Sequence, residues 1–561
     1  MISEDAGRVS PNLRTWSALA VCALSSGCTK LEEATDVLRP IDMQSLTTDG
    51  AIPAGERDAE DVVRTEDASL RDADAAPDRG DASDDAGALG CVDPSGFQGL
   101  GCFRCAPTDI VTLENACSDV ECTPFDNTQR LTKLLPDGSL PELPSAGPPP
   151  VQGGGGTPMG TPSGTGTSCA DLTSQGTAVH ITGSTAAKPF LEQIARQLAP
   201  QHVYIVYTST GSCVGVDAIL HGTPMTTGIA PAPAASAIVW DGPTSTGKAC
   251  DLPPEGVNAD LGISDVFAQT CPGFELANLD AQQIRDAHGP VQTMTFAVPA
   301  NSDQISISAQ AAYFVFGFGK DGGLRDEMGT VGLWQDEEYI LQRSATSGTQ
   351  AMLAAAIGVP ANRWKGKKHA SSDDVAVNLQ LAGARHDTAN KTIGILAADY
   401  IDGRNLRAQI RVLSYRDSNQ NCAVYPDSNA TAKDKKNVRD GHYPIWGPLH
   451  LLYKADKEGR PANPTTRANV NDILGYLSGT KALPNGVKLL DVYAQSGLVP
   501  ECAMRVTRLK DGGNMTPVKP ENPCSCLFEL TATGSTSCEV CKVQGDCGAT
   551  ETCSQGYCES L

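Results

Sequence analysis

The chain has 561 residues and a formal net charge of −23. That length allows several domains, and an acidic balance without a basic patch argues against a nucleic-acid partner. Past the N-terminus no stretch holds twenty consecutive apolar residues, so no spanning helix is expected.

The N-terminus reads as an export signal. Arg8 and Arg14 precede an apolar run from Trp16 to Leu24, and Ser25-Ser26-Gly27-Cys28 follows. A charged lead, an apolar core and small residues fit a cleaved signal peptide. A cysteine directly after the small residues resembles a bacterial lipoprotein signal. That resemblance implies lipidation of Cys28 and anchoring to a membrane; an ordinary secretory signal is the alternative. Residues 1–28 are therefore read as the signal.

Residues 29–90 are rich in Asp and Ala. Between Ala51 and Gly90 twelve Asp/Glu face four Arg, a net of −8. Such a segment cannot bury enough apolar surface to offset chain entropy, and its like charges extend it, so a disordered tether is expected. Residues 91–137 are a small cysteine-rich module, 138–168 a Pro/Gly/Ser linker, 169–511 the only stretch able to form a large core, and 512–561 a cysteine-rich tail. Removing Cys22 and Cys28 from the twenty cysteines leaves eighteen, in groups of five, six and seven. That density belongs to an oxidising compartment. The odd counts in the two outer groups permit a disulfide between them.

Within 169–511, Val179 to Thr182, Val203 to Tyr207, Met294 to Val298, Ile340 to Leu341, Ile393 to Leu396 and Leu449 to Tyr453 read as strands. Phe190, Leu191, Ile194 and Leu198 fall at helical spacing, as do Ala351 to Ile357. Strands alternating with helices predict an α/β domain, and its length predicts two lobes.

Three strand-to-helix turns share a composition: "HITGSTAAKPFLEQI" (180–194), "YTSTGSCVGVDAIL" (207–220) and "YILQRSATSGTQAMLAAAIGV" (339–359). A helix N-terminus leaves N–H groups unpaired and carries partial positive charge, so small and hydroxyl residues there suit an anion. Each turn alone is explained by ordinary N-capping. Three together, one with Arg343, point to an oxyanion site. A fourth segment, "ADLGISDVF" (259–267), adds Asp265.

The four segments together resemble the substrate-binding proteins of bacterial phosphate ABC transporters. Arg343, Ser347, Gly348 and Thr349 match a family loop with Arg followed by Ser-Gly-Thr. Gly211-Ser212 with Gly215, and Gly262, Ser264 and Asp265, match two others, and "GSTAAKP" resembles a family variant. The matches run in order across residues 176–505. The resemblance implies an α/β, two-lobed type II periplasmic binding protein fold with ligand between the lobes. It places the crossings near Gln292–Val298 and His442–Gly447. It assigns ligand contacts to Thr185, Ala187, Lys188, Ser212, Asp265, Arg343, Ser347, Gly348 and Thr349, with backbone N–H groups of the 185–188 turn completing the shell.

Physical roles go with these positions. Arg343 can grip two oxygens, and the hydroxyls donate. Asp265 helps an anion only by accepting a hydrogen bond from a proton that the anion carries. Monohydrogen phosphate has one; sulfate at neutral pH does not. Two departures stand out: the Asp that often braces the loop arginine is Ala345 here, and a donor threonine of many members aligns with Ala187.

"GPTSTGKA" (242–249) nearly spells a P-loop but ends in Ala249 where magnesium needs a hydroxyl. Cys538-x-x-Cys541 fits disulfides better than zinc in an oxidising compartment. Asp373-Asp374 reads as a helix start. The eight histidines show no metal-ligand spacing and are given no role; no metal and no cofactor are expected. The expected function is an exported lipoprotein that binds inorganic phosphate for an ABC permease, and not an enzyme. The alternatives are another oxyanion, sensing in place of delivery, or a cell-envelope adhesion or scaffold protein with a degenerate binder.

Overall fold

The computed structural model describes residues 90–145, 165–228 and 234–560, apart from 95 and 100. The export signal, Cys28, the acidic stretch before Gly90 and the middle of the Pro/Gly linker lie outside the described residues.

The first lobe begins with β1 (Thr177–Gly183), α1 (Lys188–Leu198), β2 (Val203–Ser209), α2 (Ser212–Leu220) and β3 (Leu261–Ser264). β1 lies between β2 and β3 and runs parallel to both. The chain then follows the sixteen-residue strand β4 (Ile284–Pro299) into the second lobe. That lobe holds β5 (Ile340–Gln342), α3 (Gly348–Ile357), β6 (Lys367–Lys368), α4 (Ser372–Ala382), β7 (Ile393–Ala397) and β8 (Ile410–Val412). β5 lies between β6 and β7, again parallel to both. The chain returns along β9 (Trp446–Lys454), which pairs antiparallel with β3.

β4 serves both lobes. From Ile284 to Thr293 it pairs antiparallel with β9; from Met294 to Pro299 it pairs antiparallel with β7 on one edge and β8 on the other. The first lobe therefore reads β2-β1-β3-β9-β4 and the second β6-β5-β7-β4-β8. In each, the strand supplied by the other lobe's chain runs against the rest. The returning chain passes beside the outgoing one: Met294 N–H donates to Ile445 O at 3.0 Å, and the Tyr443 hydroxyl donates to Met294 O at 2.8 Å. Two α/β lobes with matching strand order and two adjacent crossings form the type II periplasmic-binding architecture.

Both faces of these parallel strands are covered, so they read as apolar runs. Val179, Ile181, Ile205, Tyr207, Leu261 and Ile263 are fully buried, and α1 packs Phe190, Leu191, Ile194 and Leu198 onto them. Each such side chain contributes about 1.5–3 kcal/mol over its exposed state. The P-loop lookalike joins two antiparallel strands, Ala237–Val239 and Lys248–Cys250, and Lys248 pairs with Asp241. No helix starts there to cradle a phosphate.

The cysteines pair in a way that counting alone does not reveal. Cys91–Cys105 and Cys102–Cys117 close within the N-terminal segment, while Cys122 bonds Cys422 of the second lobe. The strand Cys122–Thr123 also pairs with Ala423–Val424. At the other end Cys502–Cys524 ties the tail to the main body. The odd cysteine of each outer group is therefore spent on the central domain, not on the other group. Cys538 and Cys541 bond Cys526 and Cys553, which leaves no thiolate pair for zinc.

Cys122–Cys422 spans 300 residues, and a native cross-link closing so long a loop is worth roughly 2–5 kcal/mol. The double replacement Cys122→Ala/Cys422→Ala should lower the denaturant midpoint by that stability. An unchanged midpoint would show that this cross-link adds nothing to the stability of the fold.

Candidate functional site

Because β1, β3 and β5 run parallel within their lobes, the turns at their C-terminal ends collect at the cleft. The Ser212 hydroxyl, at the start of α2, donates to Asp265 Oδ2 at 3.0 Å and accepts the Asp265 N–H at 3.1 Å. Both side chains are buried. The disulfide Cys213–Cys271 fastens the start of α2 to the chain beyond Asp265.

Arg343 leaves β5 and enters the cleft with 1 % of its surface exposed. Its Nε donates to His369 O at 3.3 Å and its Nη2 to Ala370 O at 3.0 Å. Its Nη1 donates to Thr185 Oγ1 at 3.0 Å and to Ser372 Oγ at 2.9 Å. The brace that Ala345 cannot supply comes instead from two carbonyls of the loop before α4. Four of the five guanidinium hydrogens are committed, which leaves one on Nη2. Burial lowers the arginine to about 10, against the pull of Asp265.

The lobes touch directly here. A Cβ on Gly348 would lie 2.8 Å from Asp265 Cβ and closer still to Ser212 Oγ, so only glycine fits at the start of α3. Cys213 N–H donates to Thr346 O at 3.1 Å. Lys188 reaches across to Asp373 at 3.5 Å, and Thr185 Oγ1 lies 3.0 Å from Ser372 Oγ.

Two buried carboxyls here, Asp265 and Asp399, each keep one oxygen without a hydrogen-bond partner. Asp265 Oδ1 has no partner within hydrogen-bond geometry, although the Ser184 hydroxyl lies near enough to favour its charged form. Burial pushes the Asp265 carboxyl up to about 6, although Ser184, Ser212, Arg343 and His450 all act to lower it. A second buried carboxyl, Asp399, accepts from Gln292 Nε2 at 3.1 Å and is pushed well up by burial and by Asp265.

The structure brings together Thr185, Ser212, Asp265, Arg343 and Gly348, with buried Ser347 and Thr349 flanking Gly348. Ser347 makes no side-chain cap to α3. The 185–188 turn differs from expectation. The N–H groups of Ala186 and Ala187 both donate to Ser184 Oγ, at 3.1 and 3.2 Å, so the serine occupies them. Lys188 is drawn off to Asp373. Ser184, Ser372 and Asp399 were not singled out by sequence. Ser184 had a signal in the Gly183-Ser184-Thr185 turn. Ser372 was hidden inside a helix start that the structure also uses: Ser371 and Asp374 form the capping box of α4.

No family model matches the chain, and no curated protein matches it. Solved structures with a similar course do exist. One, from Clostridium perfringens with bound phosphate, is assigned as a phosphate ABC transporter substrate-binding protein; it is 13% identical, with a TM-score of 0.36, over 58% of this chain and 99% of that one. An ABC-type phosphate transport receptor from Vibrio cholerae is 13% identical, with a TM-score of 0.34, over 57% of this chain and 99% of its own. The regulatory domain of CcmR from Synechocystis, in complex with 2-PG, is 9% identical, with a TM-score of 0.30, over 55% and 98%. At these values the likeness carries no ligand and no family membership. The fold rests on the strand order itself.

Proposed function

We propose that the chain is an exported solute-binding protein that takes inorganic phosphate between its lobes for an ABC-type permease, anchored through a lipid on Cys28. The observation that supports the ligand is Asp265 Oδ1, an unpartnered acceptor in a buried cleft beside Arg343. A buried acceptor without a donor costs about 1–3 kcal/mol, more when charged. An anion that carries its own proton repairs that cost, and one without a proton does not. The hydroxyls of Thr185 and Ser372 now sit on the guanidinium where ligand oxygens would sit. Binding exchanges those contacts and needs the lobes to part at the two crossings, then close.

Titration calorimetry of the full chain with phosphate and with sulfate tests this. Phosphate should bind one to one, and sulfate at least tenfold more weakly. Asp265→Asn should cost phosphate roughly 10–100-fold, the worth of a charged hydrogen bond, and narrow the gap to sulfate. Arg343→Ala should abolish both. Absence of binding to either anion would overturn the reading and favour a scaffold role.

Gly348→Ala removes no donor. It should still weaken phosphate binding at least tenfold, because its methyl meets Ser212 and Asp265 when the lobes close. Unchanged affinity would mean that the closed contact is not the binding state.

Without ligand, Asp265 makes stability depend on pH. Its folded value of about 6 lies above the ordinary 3.8. The burial penalty is therefore absent below about pH 4, grows as the pH rises through about 6, and is complete above. Arg343, His450, Tyr207 and Asp399 face this carboxyl. Asp265→Asn should gain stability relative to the parent between pH 4 and pH 8, by about 3 kcal/mol at 1.36 kcal/mol per unit. A difference that stays flat with pH would show that Asp265 is not held in an apolar site.

A further inference from the structure

Three groupings of His, Cys and Asp among the described residues lie close enough to converge on one ion: Cys541, Cys547 and Cys558; Asp93, Cys102 and Cys117; and Asp286, His288 and His450. The first two have their sulfurs in disulfides, so they offer no thiolate. The third is intact. Asp286 and His288 are alternate residues of β4 and so share one face of the strand. His288 stands opposite His450 of β9, which puts all three on the same side of the ribbon.

Each of the three offers a donor atom within 4.8 Å of the other two. His450 Nδ1 lies 2.7 Å from Asp286 Oδ2, and the two imidazole rings stand 5.1 Å apart at 84°. This Asp–His hydrogen bond alone would explain a structural pair. It leaves two loose ends, however. Asp286 Oδ1 and His450 Nε2 are both buried and make no hydrogen bond, and His450 is wholly buried. The surroundings favour a cation: Glu501 faces His288, while Asp265 and Asp511 face His450, with Arg508 countering only at Asp511. Phe267 covers His450 with ring centroids 4.3 Å apart, and exposed His288 opens the cluster to solvent.

We infer that Asp286, His288 and His450 form a binding site for a divalent transition-metal ion such as zinc, separate from the anion cleft. Two imidazoles and one carboxylate suit zinc with water in the fourth position. Bonds of about 2.0–2.2 Å set tetrahedral donors roughly 3.4 Å apart, so His288 must draw in while the Asp286–His450 contact opens slightly. A rotamer change of solvent-exposed His288 supplies that movement without disturbing the core. The inference does not depend on the phosphate reading.

Untagged full-length protein, stripped with chelator, should bind one equivalent of zinc by calorimetry. Cobalt(II) in its place should give the visible absorption of a tetrahedral N/O site. His288→Ala, at an exposed position, should fold normally, bind phosphate as the parent does, and lose at least tenfold in zinc affinity. Asp286→Asn should lose as much. Failure to bind a stoichiometric equivalent, weak binding of many equivalents, or full zinc affinity in both variants would overturn the site.

Discussion

The cleft is organised around a guanidinium taken out of water. Removing a cation from solvent costs several kcal/mol unless its hydrogens and its charge are met. Arg343 has both met, and the way they are met sets the local fold. Its hydrogens reach His369 O, Ala370 O, Ser372 and Thr185, so the loop before α4 must run across the mouth of β5. That loop is fixed in turn by the Ser371–Asp374 capping box. Its charge is met by Asp265 from the other lobe. One arginine therefore joins four segments from two lobes, and what holds it in the closed state is what a ligand must replace.

The covalent cross-links respect that division. Cys169–Cys250 and Cys213–Cys271 lie within the first lobe, and Cys122–Cys422 binds the N-terminal segment to the second. None of these three bonds joins one lobe to the other. Each lobe is stiffened by itself, while β4, the chain before β9 and the segment after Cys502, which bonds Thr270 through Asp511 and Arg439 through Ser525, connect the two. Cys213–Cys271 has the most local effect, because it holds the start of α2 against the chain leaving Asp265. The Ser212–Asp265 contact thus moves as one unit with its lobe. Nine disulfides among the described residues belong to an oxidising compartment.

The longer strands were legible because they are apolar on both faces and end in turns of small hydroxyl residues; β6, two exposed lysines, carries no such signal. Ser212, Asp265 and Arg343 were legible for the same reason: each sits where a strand ends. What was not legible depends on pairing across distance. Ser372 looks like any residue of a capped helix until Arg343 is placed beside it. Ala187 and Lys188 were read as donors, but Ser184 takes the Ala187 amide and Asp373 takes the lysine. His288 and His450 show no ligand spacing along the chain, because their spacing is the width between two strands. Disulfide pairing likewise follows strand pairing at Cys122 and Cys422, not cysteine counts.

The charge balance of the cleft bears on the proposal that so acidic a chain holds an anion. Fields from the rest of the surface are screened over about 8 Å at physiological salt. Inside, Arg343 contributes one positive charge, Asp265 one negative charge above its raised value, and Asp399 is pushed toward the neutral acid. The cleft itself is then close to neutral. On the proposed reading, attraction for an anion comes from hydrogen bonds and not from net charge: the spare Nη2 hydrogen, the hydroxyls of Thr185 and Ser372, and the first turn of α3 that Ser347 leaves uncapped. Hydrogen bonds of this kind do not separate one tetrahedral oxyanion from another, because every such anion presents the same oxygens. Discrimination falls to the one group with the opposite demand. In the proposed function Asp265 rewards a proton on the ligand and penalises its absence, and its burial is what makes that penalty large enough to matter.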